Sequence, residues 1–115
     1  MRVLVADDNR EIRSALRLAL LELSDQWAIM EAGDAAATLT LLERQDVDVV
    51  LLDWELPGFD AATMLTQIKA RAPGCTVIAL SGCPEARNVS LQLGADHFVS
   101  KSDPPVNLLE LLRGL

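Results

Sequence analysis

The side chains that could do chemistry in this 115-residue chain stand at the ends of short apolar runs. Asp7 and Asp8 follow the first run, Asp53 follows the third, Ser81 closes the fourth, and Lys101 comes just after the fifth. Three carboxylates that lie together repel one another and raise one another's pKa values unless a cation joins them. Such an acidic group, with an ammonium and a hydroxyl nearby, has the parts needed for phosphoryl transfer to a carboxylate.

The residue types in this group indicate which cation would join it. The group contains no histidine and no cysteine, so its ligands are the hard carboxylate oxygens that Mg²⁺ prefers, and a zinc site is not expected. We therefore expect Mg²⁺, or Mn²⁺ in its place, as the cofactor. The metal and the Lys101 ammonium would neutralise charge on the phosphoryl oxygens, while the Ser81 hydroxyl and nearby backbone N–H groups would hold those oxygens.

The elements that must position these residues alternate regularly along the chain. Short apolar runs predict strands at Val3–Ala6, Ala28–Met30, Val47–Leu52, Val77–Leu80 and His97–Val99. Segments of helical period predict helices at Glu11–Leu23, Ala35–Gln45, Ala61–Ala72, Pro84–Leu93 and Pro105–Arg113. This alternation is typical of an α/β domain with a parallel sheet covered on both faces. Asp34 and Asp60 are expected to cap the second and third helices, and Gly94 to end the fourth.

A parallel sheet would bring the scattered polar residues together. The carboxyl ends of its strands all lie on one edge, and ligands of such folds bind in the crevice outside that edge. Because the acidic residues, the hydroxyl and the lysine follow different strands, we expect them to converge there. A polar residue behind a single strand is usually only a turn or cap residue, but that explanation does not account for the whole set.

Composition and charge limit the classes of function. The chain has 10 basic and 17 acidic residues and a net charge of −7, so we expect no direct nucleic-acid binding by this segment. Neither a signal peptide nor a membrane span is predicted, and we expect a cytoplasmic protein without a membrane partner. Cys75 and Cys83 lack the spacing of a metal or redox motif and are predicted to be buried or half-buried free thiols. The only histidine, His97, is predicted to be a strand-edge residue.

The order of these motifs resembles the signature of bacterial response-regulator receiver domains. The resemblance is carried by Asp7-Asp8, Asp53-Trp54-Glu55-Leu56-Pro57-Gly58, Ser81-Gly82 and Lys101, each at the expected strand end. It covers residues 1–115, which we interpret as a single receiver domain. It implies a (βα)5 doubly wound, five-stranded parallel sheet of the flavodoxin-like or CheY-like kind, with strand order 2-1-3-4-5. The string from Gly94 to Lys101 resembles most closely those receivers that are joined to a helix-turn-helix DNA-binding domain.

The resemblance implies roles for the acidic residues. Asp53 would be the phosphoacceptor, taking a phosphoryl group from a phosphohistidine on a sensor histidine kinase or a histidine phosphotransfer protein. Asp8 and Asp53 would bind Mg²⁺ directly. Asp7 would bind it through water, and the backbone carbonyl of Glu55 would complete the protein ligands.

The resemblance also implies a two-state switch. Lys101 would pair with the phosphoryl group, Ser81 would reach its oxygens on activation, and the backbone amides of Trp54 and Gly82 would contribute. Phe98 matches the aromatic position that moves inward as the hydroxyl shifts, with a fixed core residue as the alternative. The rearranged surface, formed by the fourth helix, fifth strand and fifth helix, would act on an output domain or effector protein, or form a homodimer.

Some positions depart from the family pattern. The family commonly has a proline, often with a cis bond, after the lysine, but Ser102 follows Lys101 here, so the aim of the lysine is left open. Glu55 and Cys83 occupy positions that in the family modulate hydrolysis of the acyl phosphate. Gly82 stands where alanine is common, which leaves the phosphate loop freer.

The first helix carries a candidate docking patch. At about 100° per residue, one broad face should pack on the sheet, and it comprises Ile12, Ala15, Leu16, Ala19, Leu20 and Leu23. Leu18 and Leu21 fall off that face. They are either scattered surface leucines or a small apolar patch that docks a histidine-containing phosphodonor protein.

Two other functions compete with a signalling phosphoacceptor, which acts only on itself and is not otherwise an enzyme. A non-phosphorylated pseudo-receiver would be an interaction module, but such domains usually lose an acidic residue or the lysine. A hydrolase with an aspartyl-phosphate intermediate normally needs a second Asp two residues after the nucleophile, where this chain has Glu55. Because the chain ends at Leu115, we expect either a single-domain regulator or a receiver that precedes a DNA-binding domain.

Overall fold

The computed structural model describes residues 1–115, in which five strands and five helices alternate. The strands are β1 (Arg2–Ala6), β2 (Ala28–Ala32), β3 (Val49–Asp53), β4 (Thr76–Ser81) and β5 (His97–Ser100). The helices are α1 (Arg10–Leu23), α2 (Ala35–Arg44), α3 (Ala61–Arg71), α4 (Ala86–Gln92) and α5 (Pro105–Arg113). All ten predicted elements are confirmed. None of the helices combines the length and the apolar character that crossing a membrane requires.

The strands form one parallel sheet in the order β2-β1-β3-β4-β5, as the resemblance implied. β3 is the central strand, and all of its residues are buried. Asp53 at the end of β3 pairs with Leu80 of β4, and Ser81 pairs with Ser100 of β5. The residues that end these strands therefore lie side by side at one edge of the sheet.

Alternation of side chains along the strands divides the aliphatic core into two clusters, one on each face of the sheet. In β3, Val50 and Leu52 belong to one cluster, and Val49 and Leu51 belong to the other. Buried residues of α2, α3 and α4 close the first cluster, and buried residues of α1 and α5 close the second. Helices on both faces make this sheet doubly wound, as predicted.

Short polar residues and a glycine mark several helix ends. Asp34 and Asp60 accept hydrogen bonds from the first turns of α2 and α3, which confirms both predicted caps. Asn9, which was not predicted, caps α1 by accepting from two N–H groups of its first turn. Gly94 has a φ of 112°, so a glycine with positive φ ends the α4 segment as expected.

A second glycine shapes the loop between β3 and α3. Gly58 has a φ of 114°, and a Cβ at this position would lie 2.9 Å from the Cβ of Ala35. The Ala35 N–H donates to the carbonyl of Pro57 at 3.0 Å, which holds the loop against the start of α2. A side chain at Gly58 would therefore disturb the segment that leaves Asp53.

Three predicted boundaries are wrong by two residues, and several others differ by one. β2 ends at Ala32 rather than Met30. α4 begins at Ala86 rather than Pro84, and it has no side-chain cap that would mark its start in the sequence. β3 begins at Val49 rather than Val47, because Val47 packs against the core without joining the strand ladder.

Two predictions of burial are also corrected. Ile12 is 36% exposed because the first turn of α1 lies beside a groove rather than over the strands, and Ala15 is exposed as well. Cys75 is buried as predicted, but Cys83 is exposed because it lies in the loop after β4. Leu18 and Leu21 are exposed, in agreement with their expected position off the core face.

Candidate functional site

The carboxyl edge of the sheet brings together the three acidic residues singled out from the sequence. Each of Asp7, Asp8 and Asp53 offers a carboxylate oxygen, and these oxygens lie within 4.8 Å of one another. Asp7 and Asp53 are 1% and 3% exposed, whereas Asp8 is exposed to solvent. The group therefore forms an acidic hollow that opens to solvent beside Asp8.

Lys101 reaches into this hollow and contacts both buried carboxylates. Its Nζ lies 3.0 Å from Asp7 Oδ2 and 3.1 Å from Asp53 Oδ1. Its backbone N–H donates to the carbonyl of Ser81 at 2.9 Å, which places the loop after β5 beside the end of β4. All peptide bonds are trans, including the one to Ser102. The lysine is thus aimed at the acidic group with serine in the usual place of proline.

Burial and ion pairing shift the pKa values of the central pair. Burial raises the pKa of Asp53, although the Glu55 N–H and the Lys101 ammonium partly oppose that shift. Burial alone would lower the pKa of Lys101, but hydrogen bonds and attraction from Asp7 and Asp53 outweigh burial and raise it. The ammonium is therefore charged at neutral pH, and the ionised Asp53 is a more basic carboxylate than one in water.

The donor set fits a hard divalent cation. Asp7 Oδ2 is buried, and its one polar partner is the Lys101 ammonium 3.0 Å away, so only that ion pair compensates its charge. Asp7 Oδ1, by contrast, accepts from the Asn9 N–H at 2.9 Å. One ammonium cannot balance three carboxylates, and oxygen ligands are those that Mg²⁺ prefers. Asp7, Asp8 and Asp53 are the side chains that would hold it.

The backbone that follows Asp53 bends back over the site. The Glu55 N–H donates to Asp53 Oδ1 at 3.0 Å and fixes the carboxylate. The Trp54 N–H donates to the carbonyl of Leu80 at 2.8 Å. The resemblance assigns this N–H to the phosphoryl oxygens, and that role stays a prediction. It would require the hydrogen bond to Leu80 to be shared or broken. Gly82 lies at the same edge with open space where a side chain would be.

The Ser81 hydroxyl contacts Glu55 in this structure. Its Oγ donates to Glu55 Oε1 at 2.6 Å and accepts from the Cys83 N–H at 3.0 Å. Phe98 is buried, with the guanidinium carbon of Arg87 5.0 Å from its ring centre. The ring is thus already inside the core while the hydroxyl is bonded to Glu55, and movement of Phe98 stays a prediction.

Arg13 supports the site but was not identified from the sequence. Its Nη1 donates to the backbone carbonyl of Asp7 at 2.7 Å, and its Nε lies 3.3 Å from Glu31 Oε1 in β2. The guanidinium thereby ties α1 to the end of β1 and to its neighbouring strand. The signal in the sequence was a basic residue little more than one helical turn after Asp8.

A doubly wound α/β domain with an acidic group contacted by a lysine at the carboxyl edge of its sheet is the arrangement that the resemblance to receiver domains implied. Residues 3–113 match the family model described as the response regulator receiver domain, and the chain belongs to this family. It is therefore a receiver domain of the kind found in two-component response regulators.

Three similar proteins illustrate the range of the family. The nitrate/nitrite response regulator protein NarP of Escherichia coli is 31% identical over 115 residues, which cover 97% of this chain and 53% of NarP. A cyclic di-GMP phosphodiesterase of Thermotoga maritima is 36% identical over 115 residues, covering 98% of this chain and 29% of that protein. The response regulator protein TrrA of Thermotoga maritima, solved with Mg²⁺ and BeF, is 27% identical with a TM-score of 0.86, covering 98% of this chain and 96% of TrrA. The chain spans about half or less of the length of these two curated relatives.

Proposed function

We propose that residues 1–115 are one receiver domain in which Asp53 accepts a phosphoryl group from a phosphohistidine, in a reaction that depends on Mg²⁺. The observation that carries this proposal is the contact of Lys101 with Asp53 inside the group formed with Asp7 and Asp8. The relative TrrA binds Mg²⁺ together with BeF, a mimic of the phosphoryl group, which supports the same chemistry in this chain.

In the proposed reaction, an ionised carboxylate oxygen of Asp53 attacks the phosphorus. A P–O bond forms, the P–N bond to the donor breaks, and the imidazole leaves with the bonding pair as a neutral ring because its other nitrogen carries a proton. Lys101 neutralises charge on the phosphoryl oxygens, and the Glu55 N–H keeps the carboxylate oriented. Mg²⁺ held by Asp7, Asp8 and Asp53, with the Glu55 carbonyl, would add positive charge at the same oxygens.

The domain is proposed to modify only itself, by phosphorylation and hydrolysis of the acyl phosphate, without turning over another substrate. Incubation with Mg²⁺ and acetyl phosphate, followed by intact-mass measurement, should find one added phosphoryl group. Asp53→Ala and removal of divalent cations with EDTA should each abolish it, whereas the matched control Asp60→Ala should not. A product that persists in Asp53→Ala contradicts the assignment. A wild-type chain that no donor modifies favours the pseudo-receiver.

We further propose that the donor protein docks in a groove beside the site. The groove has a volume of about 180 Å³, and its apolar lining includes Ile12 and Leu16 of α1 and Pro105 of α5. Lys101 also lines the groove, so a donor protein that inserts an apolar side chain here would bring its phosphohistidine close to Asp53.

Matched substitutions on α1 compare this groove with the patch predicted from the sequence. Leu18 and Leu21 are exposed but do not line the groove. We expect Ile12→Asp to slow phosphoryl transfer from a phosphorylated histidine phosphotransfer protein about tenfold or more, as for a polar group forced into an apolar contact. Transfer from acetyl phosphate, which needs no docking, should be unchanged. If only Leu18→Asp and Leu21→Asp slow the protein donor, the sequence-predicted patch is the dock.

The proposed output is a change at the surface formed by α4, β5 and α5. Four apolar side chains of this region are between 40% and 51% exposed: Val89, Leu91, Leu93 and Val106. The contact of Arg87 on α4 with Phe98 on β5 couples the two elements. This surface is proposed to bind an output domain, an effector protein or a second copy of the chain. Size-exclusion chromatography with light scattering, with and without phosphorylation, tests the last of these.

A further inference from the structure

We propose that the Glu55 side chain restrains Ser81 in the unphosphorylated arrangement and so sets how readily the site accepts a phosphoryl group. This inference rests on the proposed function of Asp53 and adds a regulatory residue to it. Its basis is the 2.6 Å hydrogen bond from Ser81 Oγ to Glu55 Oε1. Glu55 lies in the turn after β3 and Ser81 ends β4, and the bond joins an exposed carboxylate to a fully buried hydroxyl.

The Ser81 hydroxyl is fully committed by this arrangement. A hydroxyl has one proton to donate, and here that proton is given to Glu55. The oxygen also accepts from the Cys83 N–H at 3.0 Å, which fixes its orientation. An O–H bond to a carboxylate at about 2.5–2.7 Å is charge-assisted and stronger than a bond between neutral groups. The hydroxyl therefore has no donor free for a further acceptor.

A phosphoryl group on Asp53 would compete for the same proton. Its oxygens carry nearly two negative charges at neutral pH and act as acceptors. Ser81 can bind them only by turning towards them the O–H that it now donates to Glu55. The added charge would also repel the Glu55 carboxylate, which is exposed and can turn towards water. Activation is therefore an exchange in which one hydrogen bond of Ser81 replaces another.

The exchange makes Glu55 a positioning residue that acts through Ser81. Its hydrogen bond stabilises the unphosphorylated arrangement and opposes binding of any phosphoryl mimic. Removal of the carboxylate should therefore favour the bound state. We expect Glu55→Ala to bind beryllofluoride about fivefold to tenfold more tightly, which is the effect of one net hydrogen bond on an equilibrium.

The experiment is a titration of the full chain with beryllofluoride at saturating Mg²⁺, followed by tryptophan fluorescence. Of the two tryptophans, Trp54 adjoins Asp53. Glu85→Ala is the matched control, because it removes an exposed acidic residue from the loop after β4 that makes no side-chain cap bond. We expect it to change the dissociation constant less than twofold. Each variant is also made in a Ser81→Ala background, where the gain from Glu55→Ala should fall to the smaller part that the loss of charge contributes.

A gain from Glu55→Ala that persists undiminished in the Ser81→Ala background, or that Glu85→Ala reproduces, would show that removal of charge alone is responsible and would overturn the inference. Glu55→Gln gives a second test in the native background, because its amide oxygen can still accept the bond. Its gain should be smaller than that of Glu55→Ala, and an equal gain would also overturn the inference. If the wild type binds beryllofluoride but the effects of Glu55→Ala and Ser81→Ala on binding are independent, only this inference fails. If the wild type does not bind it, the proposed function fails as well.

Discussion

Removal of the Lys101 ammonium should expose the electrostatic cost of the acidic hollow. Lys101→Met keeps the length and apolar stem of the side chain but leaves two carboxylates, 1% and 3% exposed, without their cation. At separations of 3.0 and 3.1 Å, each ion pair has a gross attraction of about 5 kcal/mol at an effective dielectric constant of about 20. Much of this is offset by desolvation of the ammonium. Breaking a buried pair usually costs about 3–5 kcal/mol.

We therefore expect Lys101→Met to lower the free energy of unfolding by about 3 kcal/mol at pH 7 without divalent cations. With a urea slope of about 2 kcal/mol per M, the midpoint should fall by about 1.5 M. Lys69→Met is the matched control, because Lys69 also pairs with a carboxylate, at 2.8 Å, but the side chains of that pair are 32% and 40% exposed. Its effect should be at most about 1 kcal/mol.

The pH dependence of this effect follows from the direction of the pKa shifts. Burial raises the pKa of Asp53, and loss of Lys101 removes a group that opposes this. A raised carboxyl pKa destabilises the folded state above that pKa, and protonation relieves the penalty as the pH falls. The deficit of Lys101→Met should therefore shrink as the pH falls from 7 through the raised pKa of Asp53. A loss below about 0.5 kcal/mol at pH 7, or equal losses for both lysines, would refute the electrostatic reasoning.

Three further outcomes are expected from stability measurements. Gly58→Ala should lower the free energy of unfolding by about 2–4 kcal/mol in urea denaturation, because the φ of Gly58 is 114° and the new Cβ would lie 2.9 Å from the Cβ of Ala35. The control Gly74→Ala, which has open space around its new Cβ, should lower it by less than about 0.5 kcal/mol. Burial alone would raise the pKa of Asp96, but hydrogen bonds from the Lys69 ammonium and a backbone N–H outweigh burial. The pKa therefore lies below 3.8. Asp96→Ala should thus cost about 1 kcal/mol at neutral pH, and thermal unfolding should show this difference fading as the pH falls below 3.8. Asp53→Asn should stabilise the cation-free protein at pH 7. This gain in stability should decrease as the pH falls through the raised pKa of Asp53, and absence of the gain would contradict the raised pKa.

Local signals in the sequence were sufficient for most of the fold. Apolar runs located the strands, and the strongly helix-capping residues Asp34 and Asp60 located two helix starts. α4 was misplaced at its start because no cap residue marks it and because it is short. The exposure of Ile12 could not be read from helical periodicity, since it depends on whether the loop after β5 covers the first turn of α1.

The site was predictable to the level of residue identity but not of contacts. Asp7, Asp53 and Lys101 were placed together because parallel strands end at one edge, and the structure confirms that they meet. The bond between Ser81 and Glu55 could not be predicted, because it depends on the rotamer of a flexible side chain and joins residues 26 positions apart. The Arg13 contact with the Asp7 carbonyl likewise requires the packing of α1 on the sheet.

The central claim is that Asp53 is the phosphoacceptor, and mapping the modified residue tests it most directly. After reaction with acetyl phosphate and Mg²⁺, borohydride reduction converts an aspartyl phosphate into homoserine, whose position tandem mass spectrometry can assign. We expect homoserine at position 53 alone, dependent on Mg²⁺ and lost in Lys101→Met under the same reaction time. Homoserine at Asp7, Asp8 or Asp60 with an intact Asp53 would contradict the claim.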